Sequence, residues 1–258
     1  MKIMFLGDTH ADIQFTLAAI DFAVVQQIDA IVQVGDFGVW DHIPAGVDFL
    51  DGVNAKLEQK DLWMLFVDGN HENFDRLLSE EVYPLDPESG FRPIRPRLLH
   101  APRGHVWNMG GLNFLAFGGG SSIDGPDGPR WWGGASRSLG NGWWPQERIT
   151  QADVYTALAN LDQKASHIDV MVTHDVPTGV KIPGITRGYP AGDACREAVS
   201  AVASFAQPQL MVCGHYHRRH TATFEQTHVE ILAHNEADSG QVIMLETDPF
   251  TLITEANA

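Results

Sequence analysis

The 258-residue chain is 44% hydrophobic, enough to bury a substantial core, and its length suits one large α/β domain over residues 1–258 better than two independent ones. With 33 acidic against 17 basic residues its formal charge is -16, which repels a polyanion and argues against an extended nucleic-acid groove. Divalent cations bound in a cleft would reverse that potential locally, so a small phosphorylated ligand stays compatible with the charge. Two cysteines, Cys195 and Cys213, are too few for a disulfide framework or a thiolate zinc site and fit a reduced cytoplasm.

Lys2 to Leu6 is a short apolar run cut off by Gly7-Asp8, which reads as a strand and not a signal peptide. No run reaches transmembrane length. Ile13 to Gln27 carries apolar residues at helical spacing, with Asp12 placed to cap it. Ala30 to Val34 is a second strand, Val47 to Leu57 a helix and Leu62 to Val67 a third strand, so the opening reads βαβαβ. Near-continuous apolar strands joined by helices predict a parallel sheet covered on both faces.

Pro84 to Pro102, with five prolines, predicts a surface excursion, and its Arg92, Arg95 and Arg97, with Arg103 beyond, a solvated face or a phosphate-steering rim. His105 to Asn108 and Leu112 to Phe117 predict a hairpin around Gly110-Gly111. Next comes the strand end Gly118 to Asp124, then a long loop holding Trp131 and Trp132, with Trp143 and Trp144 after it. These tryptophans would pin the loop to the core, stack a nucleobase, or serve a lid or a dimer interface. Thr150 opens a helix to about Gln163, with Asp153 in place of a capping-box Glu or Gln. Ile168 to Thr173 and Gln209 to Cys213 are buried strands around a helix from Asp193 to Phe205. Arg219 to Phe224, Val229 to Ala233 and Gln241 to Glu246 predict a closing antiparallel meander. The two βα-type halves predict two mixed sheets packed face to face with helices outside.

Acidic, imidazole and amide residues recur where these strands end: Asp8 and His10, Asp36, Asn70 and His71, His174, then His215 and His217. Residues two apart in an extended segment point the same way, so Asp8 with His10 and His215 with His217 can each converge on one point. Carboxylate, imidazole and amide oxygen form a hard-to-borderline ligand set, suited to manganese, iron, zinc or nickel. Seven candidates, Asp8, His10, Asp36, Asn70, His174, His215 and His217, exceed what one tetrahedral ion needs. Two ions about 3.5–4 Å apart and sharing one carboxylate would use them, with Asp36 as the bridge. Such a pair can activate a shared water as hydroxide for attack on phosphorus, and His71 is left to protonate the leaving oxygen. His42, His100, His105, His167, His220, His228 and His234 stand outside these blocks and read as ordinary surface or core residues.

Taken in order, Gly7-Asp8-Thr9-His10, Gly35-Asp36, Gly69-Asn70-His71-Glu72, Thr173-His174 and Gly214-His215-Tyr216-His217 resemble the motif blocks of the calcineurin-like metallophosphoesterase family. Gly118 to Asp124, with Trp143-Trp144-Pro145 and Glu147, further resembles a bacterial and phage branch of it. The resemblance implies a four-layer α/β/β/α sandwich with two divalent metal ions at the sheet edges. Asp8, His10, Asp36 and His217 would hold one ion, and Asp36, Asn70, His174 and His215 the other. His71 would be the phosphate-contacting general acid.

Protein phosphatases of that family follow the Gly-Asp pair with Tyr-Val-Asp-Arg-Gly, whereas here Phe37-Gly38-Val39-Trp40 follows Asp36. Both the aspartate that supports the catalytic histidine and the phosphate-gripping arginine are missing there, leaving Asp41, Glu72 and Asp124 as candidates to orient His71. The expected function is a cytoplasmic phosphodiesterase acting on small nucleotidic or cyclic nucleotide phosphodiesters, with manganese the first expectation for the metal. A phosphomonoesterase acting on a protein or nucleotide is the alternative, and a non-catalytic interaction module on the same fold the third reading.

Overall fold

The computed structural model describes residues 1–129, 137–164, 167–185 and 188–254. In chain order the elements begin with β1 (Lys2–Leu6), α1 (Ile13–Val25), β2 (Ala30–Gln33), α2 (Pro44–Lys60), β3 (Met64–Phe66) and α3 (Phe74–Leu77). β4 (Arg92–Arg95), β5 (Leu98–His100), β6 (Val106–Met109), β7 (Leu112–Phe117), β8 (Ser138–Leu139) and β9 (Gly142–Trp143) follow. The rest comprises α4 (Gln151–Lys164), β10 (Val170–Thr173), α5 (Pro190–Ala206), β11 (Leu210–Cys213), β12 (His220–Phe224), β13 (Thr227–Ile231), β14 (Val242–Thr247) and β15 (Phe250–Ile253).

Side-chain alternation along the strands sorts the core into three layers. In β1, Met4 and Leu6 pack toward α1 and α2, while Ile3 and Phe5 face the opposite way. In β10, Met171 packs toward α4 and α5, while Val170 and Val172 point inward. The inward set of both sheets forms one central layer, so the molecule is an α/β/β/α sandwich of two mixed sheets, as expected. The first sheet runs β15-β14-β1-β2-β3-β5-β4 and the second β12-β13-β11-β10-β7-β6. Parallel pairing of β1, β2, β3 and β5, and of β7, β10, β11 and β13, brings their C-terminal ends to one edge within each sheet.

Local sequence chemistry sets the helix boundaries. Asp12 caps α1 by accepting the Phe15 N–H at 3.0 Å. Pro44 occupies the first turn of α2, where no N–H is missed, so this helix starts before the expected Val47. Thr150 and Asp153 satisfy each other's backbone N–H groups ahead of α4, an aspartate version of the capping box.

Three expectations are corrected. Pro84 to Pro102 is no mere excursion: it contains β4 and β5, and the fully buried Leu98 packs beneath α2. The closing strands do not form one meander, since β12 and β13 lie in the second sheet while β14 inserts beside β1 in the first, followed by the unforeseen β15. The arginines do not line the cavity described below and form no phosphate rim; Arg95 and Arg97 lie on a solvated face in ion pairs. Arg92 pairs with Glu80, Arg95 with Asp51 at 2.6 Å, and Arg97 with Asp61 at 2.9 Å, while the buried Arg103 grips Asp68 and Asp153.

Candidate metal centre

The parallel edges deliver the expected donors to one place. Asp8 and His10 follow β1, Asp36 follows β2 and Asn70 follows β3; His174 follows β10, and His215 and His217 follow β11. His10, Asp36, His215 and His217 have φ of 47°, 55°, 70° and 55°, a left-handed backbone that costs non-glycine residues about 1–3 kcal/mol each. Four such residues in one cluster mark a site whose side-chain directions are imposed by the surrounding fold. Glycine makes two close approaches possible: a Cβ on Gly35, itself at φ 102°, would lie 2.4 Å from His174 Nδ1, and one on Gly214 would lie 2.0 Å from Asp8 Oδ1.

Donor atoms of Asp8, His10, Asp36 and His217 all lie within 4.8 Å of one another. His10 Nε2 stands 3.3 Å from Asp36 Oδ2, and His217 Nε2 stands 3.6 Å from Asp8 Oδ2. A second group adjoins it, with Asn70 Oδ1 3.0 Å from His174 Nε2 and 2.8 Å from His215 Nδ1. His174 Nε2 is also 3.4 Å from Asp36 Oδ1, so the two oxygens of Asp36 face different groups. Backbone N–H groups of Asn70 and His71 donate to Asp36 Oδ1 at 2.7 and 2.8 Å and hold the carboxylate in that pose.

This donor set fits a divalent cation. His174 Nδ1 donates to the Val34 carbonyl at 2.9 Å, so in the neutral ring Nε2 carries the lone pair and faces the Asn70 and Asp36 oxygens. Lone pairs aimed at one another repel unless positive charge sits among them. The protein favours such charge: against burial, Asp36 and Asp8 raise His174 to about 10, and Asp36 raises His10 to about 9. Burial would raise the Asp36 carboxyl, yet the surrounding imidazoles, His174 foremost, hold it well below the usual range. Burial lifts Asp8 to about 7.

Residues outside the sequence blocks orient the ligands. Asn235 Oδ1 lies 3.2 Å from His10 Nδ1, its Nδ2 donates to Asp12 Oδ2 at 3.1 Å, and its N–H donates to the Asp8 carbonyl at 2.9 Å. Asp12 thus serves both the α1 cap and the His10 support. His234, expected to be ordinary, stacks on His217 with centroids 4.2 Å apart and planes 6° from parallel. The adjacent His234-Asn235 pair was the available signal, but 225 residues separate Asn235 from His10 and no local spacing connects them.

His71 is held differently from the expectation. Glu72 is spent on the N–H groups of Phe37, Gly38 and Val39, and Asp41 on Arg76 and Tyr83. Trp40 Nε1 donates to the His71 carbonyl at 2.7 Å, while His71 Nε2 lies 3.9 Å from Asp36 Oδ2 and His71 Nδ1 accepts from Arg137. Asp124 reaches His71 through Arg137, accepting from its Nε–H at 2.8 Å. Burial, with Arg137 adding to it, lowers His71 to about 4 against the pull of Asp36.

A cavity of about 570 Å³ opens beside the cluster, with Asn70, His71, Arg137, Ile185, Tyr189 and His215 in its lining. That volume suits a small molecule. Trp143 and Trp144 are buried and do not line it; Trp144 Nε1 donates to Asp75 at 3.0 Å, pinning the loop. Trp131 and Trp132 lie outside the described residues. No helix among the described residues is long and apolar enough to cross a membrane.

Two facing sheets with a carboxylate, imidazole and amide cluster at their strand ends describe a metal-dependent hydrolase. The chain belongs to the calcineurin-like phosphoesterase family, whose sequence model matches residues 1–219, and phosphoester hydrolysis is its class of chemistry. Comparison with curated proteins gave no sequence match. Among solved structures, the chain is similar to TT1561 of Thermus thermophilus at TM-score 0.57 and 12% identity, covering 97% of this chain and 96% of that one. It is also similar to phosphopantetheinyl hydrolase from Mycobacterium tuberculosis, at TM-score 0.55 and 16% identity with 96% of each chain covered. A dimetal phosphatase from Danio rerio matches at TM-score 0.53 and 16% identity, covering 95% of this chain and 92% of that one. At these identities the likeness is one of fold.

Proposed function

We propose that this protein is a dinuclear-metal phosphodiesterase acting on small nucleotidic or cyclic nucleotide phosphodiesters. The observation that carries the reading is the convergence of seven donors from both sheets beside a cavity of small-molecule size. Asp8, His10, Asp36 and His217 would hold one ion and Asp36, Asn70, His174 and His215 the other, with manganese the first candidate. When bound, the ions would supply Lewis-acid polarisation of the phosphoryl group and acidify a water.

The chain's own groups do the rest. His71, at the cavity wall, donates a proton to the departing oxygen. An anionic phosphoryl group arriving beside this buried ring favours its protonated form, opposing the effects of burial and Arg137. Arg137 offers its guanidinium to a phosphoryl oxygen from the same wall. Because Asp124 is paired with it, the Arg137 unit adds little net positive charge, which suits a singly charged diester better than a dianionic monoester. The stretch after Asp36 gives no further grip, since Phe37 and Val39 are buried in the core.

The test is elemental analysis with a substrate panel. Manganese-loaded protein is expected to carry two ions per chain and to cleave bis-p-nitrophenyl phosphate and cyclic nucleotides faster than p-nitrophenyl phosphate. A monoester preference would replace this reading with a phosphomonoesterase. Two bound ions without turnover of any ester would favour the non-catalytic module.

A further inference from the structure

Asn70 is the one amide among the seven donors, and an amide can be placed the wrong way round. Its oxygen ligates a cation and its nitrogen does not, while the two ends are nearly equal in shape. Something must hold Oδ1, and not Nδ2, toward Asp36, His174 and His215. Here Asn70 Nδ2 donates to Ser122 Oγ at 3.1 Å. Ser122 in turn donates its only hydroxyl proton to Glu147 Oε2 at 2.7 Å, and its backbone N–H to Glu147 Oε1 at 2.6 Å. With that proton committed, the lone pairs of Ser122 face Asn70, and only the NH₂ end of the amide can satisfy them.

We propose that Glu147, acting through Ser122, is a positioning residue that sets the polarity of the Asn70 amide and thereby presents the ligand oxygen of the second metal position. All three residues are buried, and of them only Asn70 lines the cavity, so the Ser122–Glu147 hydrogen bonds lie behind it. Glu147 ends a short turn, Pro145–Glu147, directly after Trp143 and Trp144 are anchored, which fixes its carboxylate under Ser122. Among the described residues no salt bridge reaches Glu147, and its burial raises the carboxyl to about 7 against the two Ser122 donors. A charge buried on those terms costs stability, and orienting Asn70 gives it a use. The relay matches Asp12–Asn235–His10 on the other side, so each metal position has one ligand steered by a carboxylate one residue removed.

The proposal rests on the two-ion reading, and the test separates the two. Glu147→Gln keeps the shape but puts an NH₂ where Ser122 needs an acceptor, turning the hydroxyl proton toward Asn70; Ser122→Ala removes the acceptor altogether. Titration calorimetry with Mn²⁺ is expected to show one of two ions weakened about 10–100-fold in either variant, with the other unchanged. Asn70→Asp has two equivalent oxygens and no polarity to set, so adding Glu147→Gln to it should cost nothing more. Nuclear Overhauser contacts of the Asn70 side-chain NH₂ in the metal-free protein give a readout independent of binding: to Ser122 in the wild type, to the His174 or His215 ring in Glu147→Gln. Unchanged contacts and affinity in Glu147→Gln, an equal further loss in the Asn70→Asp background, or simultaneous loss of both ions would overturn the relay. A wild type that binds fewer than two ions while the amide contacts switch as described would instead overturn the two-ion reading and leave the relay standing.

Discussion

Asp36 touches both donor groups, one oxygen facing His10 and the other His174. Asp36→Ala should therefore weaken both ions, whereas His217→Ala, on an exposed side chain at one end of the cluster, should mainly weaken one. Metal content after desalting checks this, and equal retention of both ions by the Asp36 variant would refute the bridging role. Arg137→Ala should raise the inhibition constant of inorganic phosphate roughly 10-fold, the value of one charge-assisted hydrogen-bonded contact. That these seven side chains would converge was legible because each stands at a strand end marked by its neighbours in the sequence. Their supports were not, because Asn235 reaches His10 from 225 residues away and Ser122 reaches Asn70 from 52. Arg137 was hidden for the same reason, standing 66 residues from the ring it meets.

At the scale of elements, sequence pattern foretold the βα units and the helix caps, since these depend on neighbours in the chain. Strand partners were harder. β4 carries Pro93, which suggested a loop, yet β4 is the sheet's outermost strand, where a missing N–H breaks no inner ladder. Alternation identified the late strands but could not assign them to sheets, since β13 joins β11 by a parallel pairing and β14 joins β1 from the other end of the sequence. Between β5 and β6, Arg103 fastens α4 and the loop before it to the first sheet through Asp68. Arg103→Ala leaves Asp68 buried without its cation and should cost about 3–5 kcal/mol in chemical denaturation. Burial would raise Asp68, but Arg103 holds it far below the usual carboxylate range. The stability this pair contributes is thus present above about pH 4, where an unfolded aspartate is also ionised, and is lost as pH falls below that. Denaturation midpoints in the wild type should decline on acidification below pH 4, and less steeply in Arg103→Ala.

The whole molecule is two sheets stacked face to face, with Asp8, His10, Asp36 and Asn70 following strands of the first and His174, His215 and His217 strands of the second. Cations bound there would tie the sheets together. Mn²⁺ at about 100 times its dissociation constant should add about 2.7 kcal/mol per site, seen as a rise in Tm that EDTA reverses. The Asp36→Ala protein should show little of this rise. The order of the first sheet adds a constraint of another kind: β1 pairs on one side with β2 but on the other with β14, so that Lys2 lies opposite Glu246. During synthesis, β1 must wait for the distant β14 before both its edges are covered. Until then a nascent chain carries a bare, largely apolar strand edge, a surface that invites pairing with other chains. Asp8 and His10 follow that strand, so their placement at the cluster depends on a pairing with β14 made across most of the chain.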